Sequence, residues 1–313
     1  MSLLGRFFGS RDDVPAWARF FPPEDYRAFL GAVENDLRRR GASFEMGDGT
    51  VRAGPAGGPA ADYGLLNLAQ VCHASPRADW DAAIALHFDN AFSSDAEAEA
   101  LDGRARSLEG VRSCLKVRLY HPDTRSQVGP DHLVHRVPAE GLVETLVYDL
   151  PGTIRTVPSD HARAWGRPLD ELFEIGAANV RAEPRPEVQR FDLGQGASCS
   201  AIAGDSFFVA SHALFLGDYL GGSAPFGALV SVPHRHAVLF HPIVDMRVIL
   251  AVNSLIPVTF GMYQEGPGSI SESIYWWKEG RLLRLPSKVS ATSVTFEPPD
   301  RFVEEVLNRL PEP

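Results

Sequence analysis

Apolar residues recur at helical spacing from Glu24 to Arg39, where Tyr26, Phe29, Leu30, Val33 and Leu37 form one stripe and Gly41 supplies a stop. Phe44 and Val51 flank Gly47-Asp48-Gly49, whose glycines suit the positive φ of a hairpin turn. Residues 54–61 (GPAGGPAA) read as a loop, because glycine and proline deny them both helix and ladder. The run LLNLAQV within Tyr63 to Ala74 predicts a strand. Ile84, His87, Phe88 and Phe92 return the pattern to a helix over Trp80 to Phe92.

Beyond the polar stretch Ser93 to Glu109, strands and helices alternate. Strands are predicted at Val111 to Tyr120, Leu142 to Leu150 and Thr153 to Val157, the last two joined at Pro151-Gly152. A helix covers Leu169 to Arg181, with Leu172, Ile175 and Val180 inward and Pro184 past its end. Strands at Val188 to Leu193 and Ala197 to Gly204 precede a helix from Ser206 to Tyr219. A strand pair, Ala228 to Val232 and Ala237 to Ile243, connects through Pro233-His234-Arg235-His236. The helix from Asp245 to Gln264 contains Pro257, which lacks an amide donor and should kink or split it. A hairpin, Ser269 to Trp277 with Arg281 to Leu285, a strand near Ser293 to Phe296 and a helix over Asp300 to Leu310 close the chain. The pattern predicts an α+β fold of mixed and antiparallel sheets packed against helices. It divides into an extension (1–23), an N-terminal subdomain (24–109) and a C-terminal subdomain (110–313).

The 313 residues are 44% hydrophobic and 22% charged, the profile of a globular protein that folds without staples. With 40 acidic against 30 basic residues the net charge is -10, which disfavours nucleic acid as a partner. The basic cluster Arg38-Arg39-Arg40 falls where it complements the first helix's dipole. Cys72, Cys114 and Cys199 are few, scattered and outside any CxxC pattern, so reduced thiols and a cytoplasmic location are expected. The apolar N-terminus is too short for a signal peptide, and the uncharged stretch Val248 to Gln264 too short for a membrane span, so no membrane partner is expected.

The order of elements resembles the YtpQ-like family of uncharacterised bacterial proteins, a domain of unknown function. Leu169 to Arg181 (LDELFEIGAANVR), Tyr148 to Val157 (YDLPGTIRTV), Ala228 to Ile243 (ALVSVPHRHAVLFHPI) and the helix plus hairpin from Asp245 to Leu285 carry the likeness, which spans about residues 24 to 290. The resemblance implies the α+β fold and lends no activity. After Val232-Pro233 the family pattern leads one to expect an acidic residue where this chain has His236.

Candidate chemistry concentrates in four places. His234 and His236, two apart on an extended strand, would face one side, with His241 across the turn, and could bind a divalent metal with Asp245 or Asp218 as a carboxylate ligand. Satisfied structural histidines are the competing account. His121, Asp123, Asp131, His132 and His135 form a second polar cluster, read as a loop. Cys199 could act as a nucleophile if a histidine neighboured it, or be a core residue. Trp276 and Trp277 alternate across a strand, so one should leave the core and could anchor a protein partner; cover on both faces is the alternative. The glycine patterns Gly194-Gln195-Gly196 and Gly217 with Gly221-Gly222 open no helix and so hold no phosphate. No standard catalytic template is present. The expected function is a non-catalytic binding or regulatory module with a protein or small-molecule partner and no bound cofactor. The alternatives are a metal-dependent hydrolase using His234 and His236, and an acidic, antitoxin-like or chaperone-like protein that binds a basic partner.

Overall fold

A computed structural model describes residues 14–58, 60–92, 101–124, 129, 133–151, 153–194, 197–222, 224–289 and 294–311. The fold is α+β, and the chain falls into two units, Met1–Glu97 and Ala98–Pro313.

In the first unit, helix α1 (Pro23–Arg39) starts at a proline, carries Glu24 and Asp25 in its first turn and ends on Arg38 and Arg39, the polarity its dipole favours. Its Phe29, Val33 and Leu37 are buried. Arg40 does more than complement the helix end. It bonds Asp36 at 2.5 Å, Asp89 at 2.6 Å and the Ala85 carbonyl at 2.7 Å, and so ties α1 to a later helix. Strands β1 (Ser43–Met46), β2 (Thr50–Gly54) and β3 (Ala61–Gly64) form an antiparallel sheet. The LLNLAQV run, expected as a strand, is helix α2 (Leu66–His73). Leu65, Leu68, Ala69 and Cys72 are buried while Leu66 is exposed, a spacing that buries one helix face and that an alternating strand could not satisfy. Helix α3 (Trp80–Phe92) adds Trp80, Ile84 and Phe88 to this core.

The second unit holds the longer sheets. Strand β4 (Leu115–Tyr120), preceded by a short helix at Leu108–Val111 instead of beginning at Val111, pairs with β6 (Leu142–Asp149). Strand β6 also pairs with β5 (His135–Ala139) and β7 (Ile154–Thr156), and is buried along almost its whole length. A short helix, Ser159–Ala164, follows, then α4 (Leu169–Arg181), which packs on β4. The two approach closely at Gly176: a Cβ there would lie 2.9 Å from Val117 Cγ1 and 3.0 Å from the Lys116 carbonyl carbon. His135, expected in a loop, is the first residue of β5.

Strands β8 (Glu187–Gly194), β9 (Ala197–Ala203), β10 (Ala228–His234), β11 (Ala237–Pro242), β12 (Ile274–Lys278) and β13 (Arg281–Leu285) make a six-stranded antiparallel sheet in the order β13-β12-β10-β11-β9-β8. Strand β8 is one rim and is exposed at nearly every residue. One face of the sheet, through Ile202, Val230, Val238 and Tyr275, packs on Val209, Ala213 and Leu216. That segment was expected as one helix; it is a 3-10 helix (Val209–Phe215) followed by a single α-turn (Gly217–Leu220). The opposite face, through Leu229, Leu239, Ile274 and Trp276, meets α5 (Val248–Glu265) and the terminal helix α6 (Asp300–Glu305). Pro257 lies inside α5 without ending it. Its exposed position leaves the unpaired carbonyl one turn back, on exposed Asn253, within reach of water. Strands β14 (Ser287–Val289) and β15 (Val294–Phe296) pair separately. Among the described residues no helix is long and apolar enough to cross a membrane.

Candidate functional site

The connection between β10 and β11 is a tight turn with Arg235 and His236 at its tip, and the strand register shifts just before it, between Ser231 and His234. The turn is clamped on both sides. The Arg235 amide donates to the Gly268 carbonyl at 3.1 Å, and the Arg235 carbonyl accepts from Ala210 N–H at 3.1 Å. Ile270 N–H bonds the Pro233 carbonyl at 2.9 Å. Two glycines make the fit possible: a Cβ on Gly266 would overlap the His234 ring, and one on Gly268 would come within 2.9 Å of Arg235 Cδ.

This geometry overturns the premise of the histidine pair. His234 and His236 do not share a face of an extended strand; they flank a turn, with ring centres 6.4 Å apart. His236 Nδ1 faces the Gly204 carbonyl at 3.1 Å while its Nε2 accepts from Arg235 Nε at 2.9 Å, which assigns a neutral ring with the proton on Nδ1. His234 Nδ1 accepts the His236 amide at 3.3 Å. Burial lowers both pKa values, that of His234 to about 4. His241 does not join them. It pairs with Leu229 near the open end of the hairpin and holds the Ser198 carbonyl with Nδ1 at 2.6 Å. The suggested carboxylates are also engaged: Asp218 by Arg181 at 2.9 Å, and Asp245 by Arg247, which holds its carboxyl below the usual range. Among the described residues no three His, Cys, Asp or Glu side chains converge as a metal would require.

What does converge at this turn is positive charge on aromatic rings. Lys116, Arg118 and Tyr120 alternate along one side of β4. Lys116 lies over Phe208 at 4.5 Å and is neutralised by Asp149, at 2.6 Å, and by Glu183. Among the described residues Arg118 has no such partner. Its guanidinium sits 4.7 Å from the Tyr120 ring centre and 5.7 Å from that of Phe207, and its Nε is buried without a hydrogen bond. Arg235 reaches the same Phe207 ring at 4.8 Å. Among the described residues no carboxylate forms an ion pair with either arginine, and desolvation together with the neighbouring Arg118 charge pulls the Arg235 pKa down to about 10. Phe207 is 45% exposed and also packs against His236, ring centres 5.7 Å apart. Two guanidiniums, two neutral imidazoles and a half-exposed ring thus form a site that can hold an anion through fork-shaped donors.

The remaining candidates fall elsewhere. His121 lies 3.5 Å from Asp123 and near Tyr263; Asp131 and His132 lie outside the described residues. Cys199 is buried, its thiol directed at the Ser200 carbonyl at 3.4 Å and pushed up to about 11 by desolvation, the opposite of an activated nucleophile. Neither indole is a free anchor. Trp276 is 2% exposed, bonds the Phe226 carbonyl at 2.8 Å and meets Phe302 edge-on. Trp277, on the other face, is half-buried against Gly217. Helices cover both faces of β12, so the alternation that should have expelled one ring buries Trp276 and leaves Trp277 half-buried.

Arg118 and Arg235 carried no functional signal in the sequence, and Phe207 read only as an inward-facing residue of the helix expected from Ser206 to Tyr219, whereas it is half-exposed. The alternation in Leu115–Tyr120 (LKVRLY) was legible, but such a stripe ordinarily faces water, and only the docking of a turn 117 residues further on withdraws it. No family model, curated protein or solved structure matches the chain.

Proposed function

We propose that the protein is a non-catalytic binding module whose ligand is a compact anion, a phosphate or carboxylate group, held between Arg118 and Arg235. The observation that carries this is the pair of half-buried arginines at one aromatic ring, with no carboxylate among the described residues to neutralise them. A desolvated guanidinium is costly unless paired, and arrangements of this kind persist where an incoming anion supplies the missing charge. His234 and His236 serve to position: neutral and hydrogen-bonded, they fix Arg235 without competing for the anion. The placement beside the YtpQ-like proteins rests on the stretches of sequence quoted above and adds no ligand.

Titration calorimetry with inorganic phosphate, pyrophosphate and succinate tests the reading. One saturable site is expected, weakened at least about tenfold, or 1.4 kcal/mol, in Arg118→Met. Binding of none of the three anions, or equal binding to the variant, overturns it.

A further inference from the structure

A cleft of about 430 Å³ opens beside the β12–β13 turn, in the size range of small-ligand sites. Its apolar lining comes from Leu283 and part of Trp276 on one face of the sheet and from Leu214 and Leu282 on the other. Its rim is basic, with Arg136, Lys278, Arg281 and Arg301 against a single lining acid, Glu144. The charges do not cancel. Glu144 is consumed by the fork of Arg136, and Lys278 and Arg301 share Glu305, at 3.5 and 2.7 Å. Arg281 has no ion pair among the described residues and is exposed. The four rim cations thus face three paired acids, Glu144, Asp170 and Glu305, and Arg281 is the charge left over, in a protein whose net charge is -10. Such local reversal of sign focuses anions onto the cleft.

We propose that this cleft binds a small amphipathic anion, a carboxylate or sulfonate on an aliphatic or aromatic body, with Arg281 taking the head group and Leu283 and the Trp276 ring, on the same face of β13 and β12, covering the body. The chemistry differs from that of the hairpin turn, where half-buried guanidiniums surround a ring and no apolar floor is present. The cleft lies on the open side of β13. Ring and leucine contacts there exclude water from the body, while the head group stays at the solvated rim. Trp276 enters as a wall, held rigid by its bond to Phe226, and not as an exposed anchor.

Decanoate, kept below its micelle concentration, is the probe, with decanol and decylamine as matched controls, titrated calorimetrically into the full chain. With phosphate present at a concentration that saturates the turn, decanoate is expected to bind one site, with decanol and decylamine at least about tenfold weaker. Arg281→Ala should weaken decanoate about tenfold, and because the side chain is exposed and unpaired the fold should be unaffected. Arg118→Met should bind decanoate as the wild type does, which separates this cleft from the anion site at the turn. The proposal is overturned if the three probes bind alike, or if Arg281→Ala and Arg301→Ala both retain wild-type affinity. It is also overturned if the protein co-floats with phosphatidylglycerol vesicles yet ignores monomeric decanoate, since a lipid surface is then the ligand.

Discussion

Lys116 and Arg118 stand two residues apart on the same side of β4, and their removal should have opposite effects on stability. Lys116→Met strips the cation from Asp149 and Glu183. Breaking a buried pair costs about 3–5 kcal/mol; with Asp149 one-third exposed, at 34%, a loss of about 2–3 kcal/mol is expected. Arg118→Met removes a charge that has no counter-ion. Because the Arg118 and Arg235 guanidinium carbons lie 5.7 and 4.8 Å from one ring centre, they are at most 10.5 Å apart. At an effective dielectric near 20 their repulsion is then at least about 1.5 kcal/mol. Relief of the unbonded Nε adds about 1–3 kcal/mol, while the lost contact with the Tyr120 ring subtracts about 0.5–1 kcal/mol. The net is a gain of about 1.5–4 kcal/mol for the ligand-free protein, read by urea denaturation in phosphate-free buffer. In saturating phosphate that advantage should shrink by at least about 1.4 kcal/mol, because the wild type binds the ligand at least about tenfold more tightly. A loss of more than 1 kcal/mol in Arg118→Met without anion would refute the view that this guanidinium is uncompensated.

Arg136→Met should destabilise by about 3–5 kcal/mol in the same assay, because it leaves Glu144, 1% exposed, without its partner; a change below 1 kcal/mol would mean that Glu144 is protonated in the native state. His212 and His234 are held neutral, each with a pKa lowered to about 4. Their contribution is complete above the unfolded value near 6.5 and is lost as pH falls toward 4. Urea midpoints should therefore drop between pH 6.5 and 4.5, and a flat profile there contradicts the assignment. Iodoacetamide at pH 8 should label half-buried Cys114 before Cys72 and Cys199, whose thiols burial pushes up to about 12 and 11; peptide mass spectrometry decides, and early labelling of Cys199 would reopen its case as a nucleophile.

The α+β class was readable because most elements are long enough to show a period: Phe29, Val33 and Leu37 in α1, or Leu172, Ile175 and Val180 in α4. Where the apolar run was short, period and length gave no discrimination, and α2 was taken for a strand. The 3-10 segment Val209–Phe215 is buried nearly throughout and so carries no amphipathic signal from which to infer its pitch. At the candidate site, the turn Pro233 to His236 was visible as a chemically unusual connection, but the eye went to its histidines. Their ring nitrogens are spent on the Gly204 carbonyl, on Arg235 and on a backbone amide. Arg118 and Phe207 come to meet Arg235 instead, and a pairing between residues so distant in sequence leaves no local mark.

Strand β8 is bonded on one side only and shows its other side to solvent, with Val188 and Phe191 exposed along it. An eight-residue rim of this kind invites further strands. Glu187, Arg190 and Asp192 stand in the way, since an arriving strand would have to accommodate charges of both signs at three of those eight positions. Charge at these positions, and not a want of backbone donors, disfavours a further strand at this rim. Neutral residues at those three positions would convert a terminus into a growth point, and light scattering that climbs with protein concentration would register the change.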